Sequence, residues 1–467
     1  MTYPKNFIWG AATSAYQVEG AARTAGRGAS VWDLFCHTEG KVHGGHTGDV
    51  ACDHFHRYAS DVEIMAWLGL KAYRLSVSWP RVMPAGTGAV SRDGLAFYDR
   101  LVDRLLDAGI DPWVTLFHWD LPLDLHHQGG WLNAQSPQWF EAYAAQIVDL
   151  LSDRVTHWMT INEPQIFVGL GYGTGIHAPG HQLPFSEQLL VAHRTLLAHG
   201  RAVTVIRGRA KKPPTIGWAP VGRVCYPATD NPADVAAARI ATMAVTAKDC
   251  WNNTWFADPV CLGHYPEDAM ALFGRDVPTV APGDMELISQ PLDFYGVNIY
   301  SGEPVRAGGP QGWTPVQRPP GSPQTAMGWP VSPESLEWGP RFLYDRYKLP
   351  IVITENGMAS HDVVSLDGQV HDPARVDFLA RYLGALQRAI AGGVDVRGYF
   401  QWSLLDNFEW AEGYRQRFGI VYVDYQTQKR TPKASAHWYK DVIATNGASI
   451  KPRSPRVASA AASPLGI

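Results

Sequence analysis

Two glutamates stand where a carboxylate could do chemistry. Thr160-Ile161-Asn162-Glu163-Pro164 and Ile353-Thr354-Glu355-Asn356-Gly357 each place one at the end of an apolar, β-branched run. A lone glutamate there is ordinarily solvated. Two that meet across a cleft repel, and the proton affinity of one rises, which sets an acid beside a nucleophile. Glycoside hydrolysis needs such a pair, ~5–5.5 Å apart when configuration is retained and ~6.5–9.5 Å apart when a water fits between them. Proline after Glu163 predicts extended backbone that continues the strand direction. Asn356-Gly357 predicts a tight turn directly behind Glu355.

The elements that must position these residues recur along the chain. Strand-like runs are Phe7–Ala11, Ala72–Val77, Trp113–Phe117, His157–Ile161, Thr215–Trp218, Phe294–Ile299, Ile351–Thr354 and Val396–Gln401. Helical periodicity separates them over Asp61–Leu68, Gly94–Ala108, Pro137–Leu151, Ser186–Arg207, Ala233–Trp251 and Pro373–Ala391. Such alternation predicts an α/β fold with a parallel sheet and outer helices. Polar residues fall at or just past many strand ends: Gln17, His118, Trp119, Asn162, Glu163, Asn298, Tyr300, Glu355 and Trp402, with Arg74 inside the second run. An open sheet would gather its site at one switch point, whereas a single TIM (β/α)8 barrel spreads it over the carboxyl ends of all strands. Residues 1–445 are assigned to that barrel and 446–467, rich in Ala, Ser and Pro, to a loosely ordered tail. Gly302 to Ser332 reads as an active-site loop.

Composition narrows the partners. The chain has 467 residues, 46% hydrophobic and only 18% charged, enough for a sizeable core. Forty basic against 44 acidic residues leave a net charge of -4 and no basic stripe, which argues against nucleic acid. No run of ~20 apolar residues predicts a membrane span, and the first residues lack the apolar core of an export signal, so a cytoplasmic protein is expected. Cys36, Cys52, Cys225, Cys250 and Cys261 are an odd, scattered set, read as reduced thiols. Eighteen tryptophans beside 19 tyrosines and 16 phenylalanines are read for the most part as core filling; the sharper reading is flat apolar platforms with a polar handle, suited to sugar rings.

The chain resembles the family 1 glycoside hydrolases, the β-glucosidase and β-galactosidase group, from Phe7 to about Ile443. The matching segments are Phe7 to Gly20, Tyr73-Arg74-Leu75-Ser76, Phe117 to Pro122, Thr160 to Pro164, Thr354 to Gly357 and Trp402 to Trp410, in that order. The resemblance implies a retaining mechanism with Glu355 as nucleophile and Glu163 as general acid, then base. It places Arg74, Tyr300 and Asn298 in support, the first two beside Glu355, where they should lower its pKa. It implies sugar contacts from Gln17, His118, Trp119, Asn162, Trp402, Glu409, Trp410, Phe418 and Trp329, and a cis Trp402-Ser403 peptide. Glu409 would repel a phosphate dianion, which favours plain β-glycosides and cello-oligosaccharides over 6-phosphorylated ones. A 6-phospho-β-glycosidase and a catalytically silent sugar-binding relative are the rival readings. Gln165 departs from the family, where tryptophan is common, and makes the aglycone side less aromatic. No cofactor or metal is expected: Asp53, His54 and His56 lack zinc-ligand spacing. His126-His127 reads as an exposed turn, and no feature sets an oligomeric state.

Overall fold

The computed structural model describes residues 2–450. Eight parallel strands form one sheet: β1 (Ile8–Ala12), β2 (Ala72–Ser76), β3 (Asp111–Phe117), β4 (His157–Asn162), β5 (Thr215–Ala219), β6 (Tyr295–Asn298), β7 (Ile351–Asn356) and β8 (Val396–Trp402). Their order is β5-β4-β3-β2-β1-β8-β7-β6, so sequence neighbours pair and β8 returns to β1. The remaining gap is spanned by Gly222 N donating to Asn298 O at 2.8 Å and Asn298 N donating to Pro220 O at 3.0 Å. The sheet therefore curls into the predicted TIM barrel.

Helices α1 (His54–Leu68), α2 (Arg92–Asp107), α3 (Ser136–Leu151), α4 (Phe185–Arg209), α5 (Pro232–Met243), α6 (Ser335–Tyr347), α7 (Pro373–Ala391) and α8 (Ala434–Ala444) surround it. Local chemistry starts several of them. Ser91 Oγ accepts from Gly94 N at 3.1 Å to cap α2, and Asn231 Oδ1 accepts from Ala233 N at 2.9 Å to cap α5. No helix among the described residues is long and apolar enough to cross a membrane.

Side chains fill the barrel interior as packed layers. Trp113, Met159, Phe294, Val352 and Phe400 meet there. Gly10 and Gly217 are required for this: a Cβ would lie 2.4 Å from the Phe400 ring and 2.5 Å from the Phe294 ring respectively. Behind the β7 and β8 ends sits a buried group of charges. Lys433 Nζ donates to Asp362 at 2.5 Å and to Asp406 at 2.6 Å, Arg375 pairs with Asp362 at 2.7 Å and with Asp372, and Arg417 pairs with Asp406 at 2.6 Å. Arg375 also donates to Arg417 O at 2.8 Å, tying the segment after Glu355 to the one before Phe418.

Several expectations need correction. α1 begins at His54, well before Asp61. The Ala233–Trp251 helix stops at Met243. There Asn253 Nδ2 donates to Thr242 O and to Arg223 O, each at 2.8 Å, and a side chain bonding backbone carbonyls in this way diverts the chain from the helix. Gly302–Ser332 is not all loop, because Gly302–Ala307 and Trp313–Pro315 are strands that join Val224–Pro227 in a small separate sheet. His126 and His127 end a short helix, Leu123–His127, and His126 packs on His181. The stretch from 446 to 450 is packed: Asn446 Oδ1 accepts from Trp9 Nε1 at 2.9 Å and Ile450 is buried. The rest of the assigned tail, 451–467, lies outside the described residues.

Candidate active site

Register brings the strand-end residues to one rim. Arg74 lies opposite Ala12, Asn162 opposite Ala219, Glu355 opposite Asn298, and Trp402 opposite Ala12 from the other side. Above them opens a pocket of about 430 Å³, within the range of a small-ligand site.

Glu355 receives a donor on each oxygen. Arg74 Nη1 donates to Oε1 at 2.5 Å and the Tyr300 hydroxyl donates to Oε2 at 2.6 Å. Among the described residues no cation pairs with Glu163; Asn298 Nδ2 donates to its Oε1 at 2.8 Å. Thr354 Oγ1 donates to Asn298 Oδ1 at 2.6 Å, which fixes the way that amide faces. Asn162 Oδ1 accepts from Arg74 at 2.7 Å and from Asn298 at 3.0 Å. Its Nδ2 therefore turns to His118 Nε2 at 3.0 Å, and the proton of that imidazole resides on Nδ1. Burial holds His118 well below its ordinary pKa, so the ring is neutral.

Burial dominates the carboxylates. It pushes Glu163 up to about 8, with the negative charge of Glu355 adding to the rise. Burial also raises Glu355, against the lowering by Arg74 and Tyr300. The expected net fall at Glu355 is therefore not met; the two donors offset desolvation without reversing it. They act at Glu355 far more than at Glu163, so Glu355 is the first of the pair to ionise. Glu409 is also pushed up to about 8 by burial, against Asn407 and Gln17, which donate to its Oε2 at 2.9 and 3.2 Å.

The walls are aromatic. His118 lies nearly parallel to Trp402, ring centroids 5.7 Å apart, and Trp410 packs on Trp119 at 4.5 Å. Trp329 packs against both Tyr300 and Phe418. Trp119 Nε1 donates to Asn162 O at 2.9 Å. Gln17, Arg74, Asn162 and Asn298 are buried at the base of the pocket, each bonded to one of its lining residues: Glu409, Glu355, His118 and Glu163 respectively.

Backbone geometry departs from expectation in two places. Glu163 does not continue the strand; it adopts φ 42°, ψ 64°, with its N–H held by Ala219 O at 2.8 Å. The following proline excludes the ordinary helical region, and the turn into Pro164–Ile166 takes the left-handed one instead. Trp119 and Trp410 also have positive φ, 81° and 51°. Both line the same pocket, where strained backbone is commonly concentrated. No turn follows Glu355: β7 runs through Asn356. Gly357 serves close approach, since a Cβ there would meet Trp402 O at 1.8 Å. The Trp402-Ser403 peptide is cis, as expected.

His54 and His56 are engaged otherwise, by Asp61 at 2.7 Å and Asp53 at 2.6 Å. Sequence reading missed the outer wall of Ile166, Leu170, Ile176, His177, Val221, Trp251, Met327 and Glu412. It also missed Asn407, whose signal was available inside the Trp402–Trp410 segment.

A model described as glycosyl hydrolase family 1 matches residues 1–448. The chain belongs to that family. Among curated relatives of this family 1 glycoside hydrolase is "Beta-glucosidase A" of Thermotoga maritima, 44% identical over 95% of this chain and 98% of its own length. Another is a "Bifunctional beta-D-glucosidase/beta-D-fucosidase" of Bifidobacterium breve, 41% identical over 96% of this chain and 99% of its own length. The solved structure of the T. maritima family 1 β-glucosidase superposes with a TM-score of 0.87, covering 96% of this family 1 chain and 99% of that one. The same relative has been solved with glucoimidazole, again at a TM-score of 0.87.

Proposed function

We propose that this chain is a retaining, exo-acting β-glucosidase with side activity on β-galactosides and β-fucosides, taking short cello-oligosaccharides among its substrates. The observation that carries the reading is the unequal treatment of two buried carboxylates. Arg74 and Tyr300 both donate to Glu355, while Glu163 keeps its proton up to about 8.

In this mechanism Glu163 gives its proton to the glycosidic oxygen as the bond to the anomeric carbon breaks. A Glu355 oxygen forms the new bond to that carbon, and the aglycone leaves as an alcohol. Glu163, now ionised, takes a proton from water, which displaces Glu355 and restores the starting state. Asn162 holds the 2-hydroxyl, a contact that strengthens as the ring approaches its oxocarbenium-like state. Gln17, His118, Glu409 and Trp410 bond the remaining hydroxyls; Trp119, Trp402, Phe418 and Trp329 enclose the ring. The free thiols of all five cysteines suit a reducing compartment, and we place the enzyme in the cytosol.

A 2-deoxy-2-fluoro β-glucoside tests the reading. The accumulated adduct maps to the peptide bearing Glu355, and a label on any other residue overturns the assignment. The 6-phosphate rival fails if a nitrophenyl β-glucoside is cleaved and its 6-phosphate is not.

A further inference from the structure

Glu409 and Trp410 sit on a short loop that folds back on itself. Glu409 N donates to Gly413 O at 2.7 Å, Gly413 N donates to Trp410 O at 3.1 Å, and Trp410 holds its positive φ of 51°. Both residues line the sugar pocket. Against the same loop rests a second segment, His43 to Gly48, that lines none of the pocket and enters no step of the mechanism.

That segment grips the loop by two hydrogen bonds. Tyr414 N donates to His46 Nδ1 at 3.1 Å, and the Tyr414 hydroxyl donates to Thr47 O at 2.7 Å. The His46 and Tyr414 rings pack with centroids 5.3 Å apart. Gly413 permits the approach: a Cβ there would meet His46 Nδ1 at 2.4 Å, and glycine supplies its φ of 61° without strain. Gly48 packs on Tyr16, where a Cβ would lie 2.6 Å from the ring, and Tyr16 stacks on Trp410 with centroids 6.2 Å apart. The segment thus braces the loop twice, at Trp410 through Tyr16 and at Tyr414 directly.

A backbone N–H can only donate, so His46 Nδ1 must offer its lone pair and the ring proton must sit on Nε2. A proton added to Nδ1 sets N–H against N–H and removes the bond. Burial and the neighbouring His43 hold the imidazole below its ordinary value. The bond therefore stands at neutral pH and is lost as pH falls through that lowered value. The other charged groups around the contact are already matched, Asp49 with His37 and Glu412 with Arg415, and burial keeps the Tyr414 phenol protonated.

We propose that His46 is a positioning residue for sugar binding: its neutral imidazole clamps the loop that carries Glu409 and Trp410, and protonation of Nδ1 releases the clamp. The proposal rests on the β-glucosidase reading and adds an acid-sensitive control to the same pocket.

Two variants imitate the two states. His46→Asn puts an amide oxygen where Nδ1 lies and takes up no proton in this range. His46→Phe keeps a ring against Gly413 and removes the acceptor. Each is compared with wild type on nitrophenyl β-glucoside at pH 7.5 and pH 5, with free glucose as the competing ligand. At pH 7.5, KM and the glucose inhibition constant should agree between wild type and His46→Asn. In His46→Phe both should rise about threefold to tenfold, the worth of one hydrogen bond, with kcat little changed. At pH 5 wild type should move toward His46→Phe while His46→Asn holds its affinity. All three proteins carry the same Glu163 and Glu355, so the titration of that pair cancels in the ratios, and KM does not depend on the amount of folded protein. A ratio of wild type to His46→Asn that is the same at both pH values overturns the proposal, and so does wild-type glucose affinity in His46→Phe at pH 7.5. If His46→Phe does not fold, the wild-type to His46→Asn ratio decides alone. These outcomes leave β-glucosidase activity standing; if wild type does not cleave the nitrophenyl glucoside at all, the underlying reading falls and the proposal with it.

Discussion

Two groups of buried charge lie close together in this molecule and are built on opposite plans. Behind the β7 and β8 ends, Arg375, Lys433 and Arg417 face Asp362, Asp372 and Asp406, cation against anion throughout. Burial would raise Asp362, but Lys433 and Arg375 outweigh it and hold that carboxyl below its ordinary value. In the pocket, Arg74 touches Glu355 and acts at longer range on Glu163, while Glu409 is held by the amides of Asn407 and Gln17. Matched charges join segments; unmatched carboxylates retain protons and can deliver them. Burial alone therefore does not distinguish scaffold from chemistry; the balance of partners does.

The largest expected effect breaks the comparison at the pocket. Glu355→Ala should lower kcat by at least about 10⁴-fold, because no other group there can form the intermediate. Activity of a rigorously purified variant within tenfold of wild type would remove Glu355 from the reaction. Glu163→Ala follows, with a loss of about 10²–10⁴-fold on alkyl glucosides and far less on dinitrophenyl glucosides, which leave without a proton. Wild-type kcat/KM on alkyl glucosides should also decline as pH rises through about 8, where Glu163 ionises; equal damage to both substrate types counts against the acid role.

The next two sharpen the contrast in stability. Lys433→Met strips one cation from the matched group and should cost about 3–5 kcal/mol, read by denaturant unfolding. An unchanged midpoint would mean the group is not stabilising. Glu409→Gln should do the reverse. The folded carboxyl titrates at about 8 and the unfolded one near ~4.3, so the folded chain binds more protons between those values. The stability it contributes is present below the lower value and lost as pH climbs to about 8. The amide does not suffer that loss, so the variant should gain on the order of 1–3 kcal/mol over wild type across this window. Melting temperatures at pH 5 and pH 8.5 check the sign; a variant that loses ground with rising pH would refute it.

The barrel was legible because most strands are short β-branched or aromatic runs with a polar residue at or just past the end, as at Trp113–His118 and His157–Glu163. Those endings also announced the floor of the site. What stayed hidden depends on chain paths that leave no periodic trace. Trp251 and Ile176 reach the mouth from irregular segments, and the Ala-rich stretch before Trp251 imitated a longer helix until Asn253 intercepted it. At Glu163 the following proline excluded the helical region, which sequence reasoning took to mean extended backbone, but the turn out of β4 used the left-handed region instead. The matched charge group combines residues far apart in sequence, such as Asp362 and Lys433, and only the folded chain brings them together.

Anyone seeking a hardier catalyst would begin by converting left-handed residues to glycine, a repair ordinarily worth roughly 1 kcal/mol. At Trp119, Glu163 and Trp410 the same edit would erase a wall or the proposed proton donor, so durability and turnover compete for those three addresses. Lys348 offers the improvement without the conflict: it is left-handed at φ 55° and exposed, and it closes α6 away from the cavity.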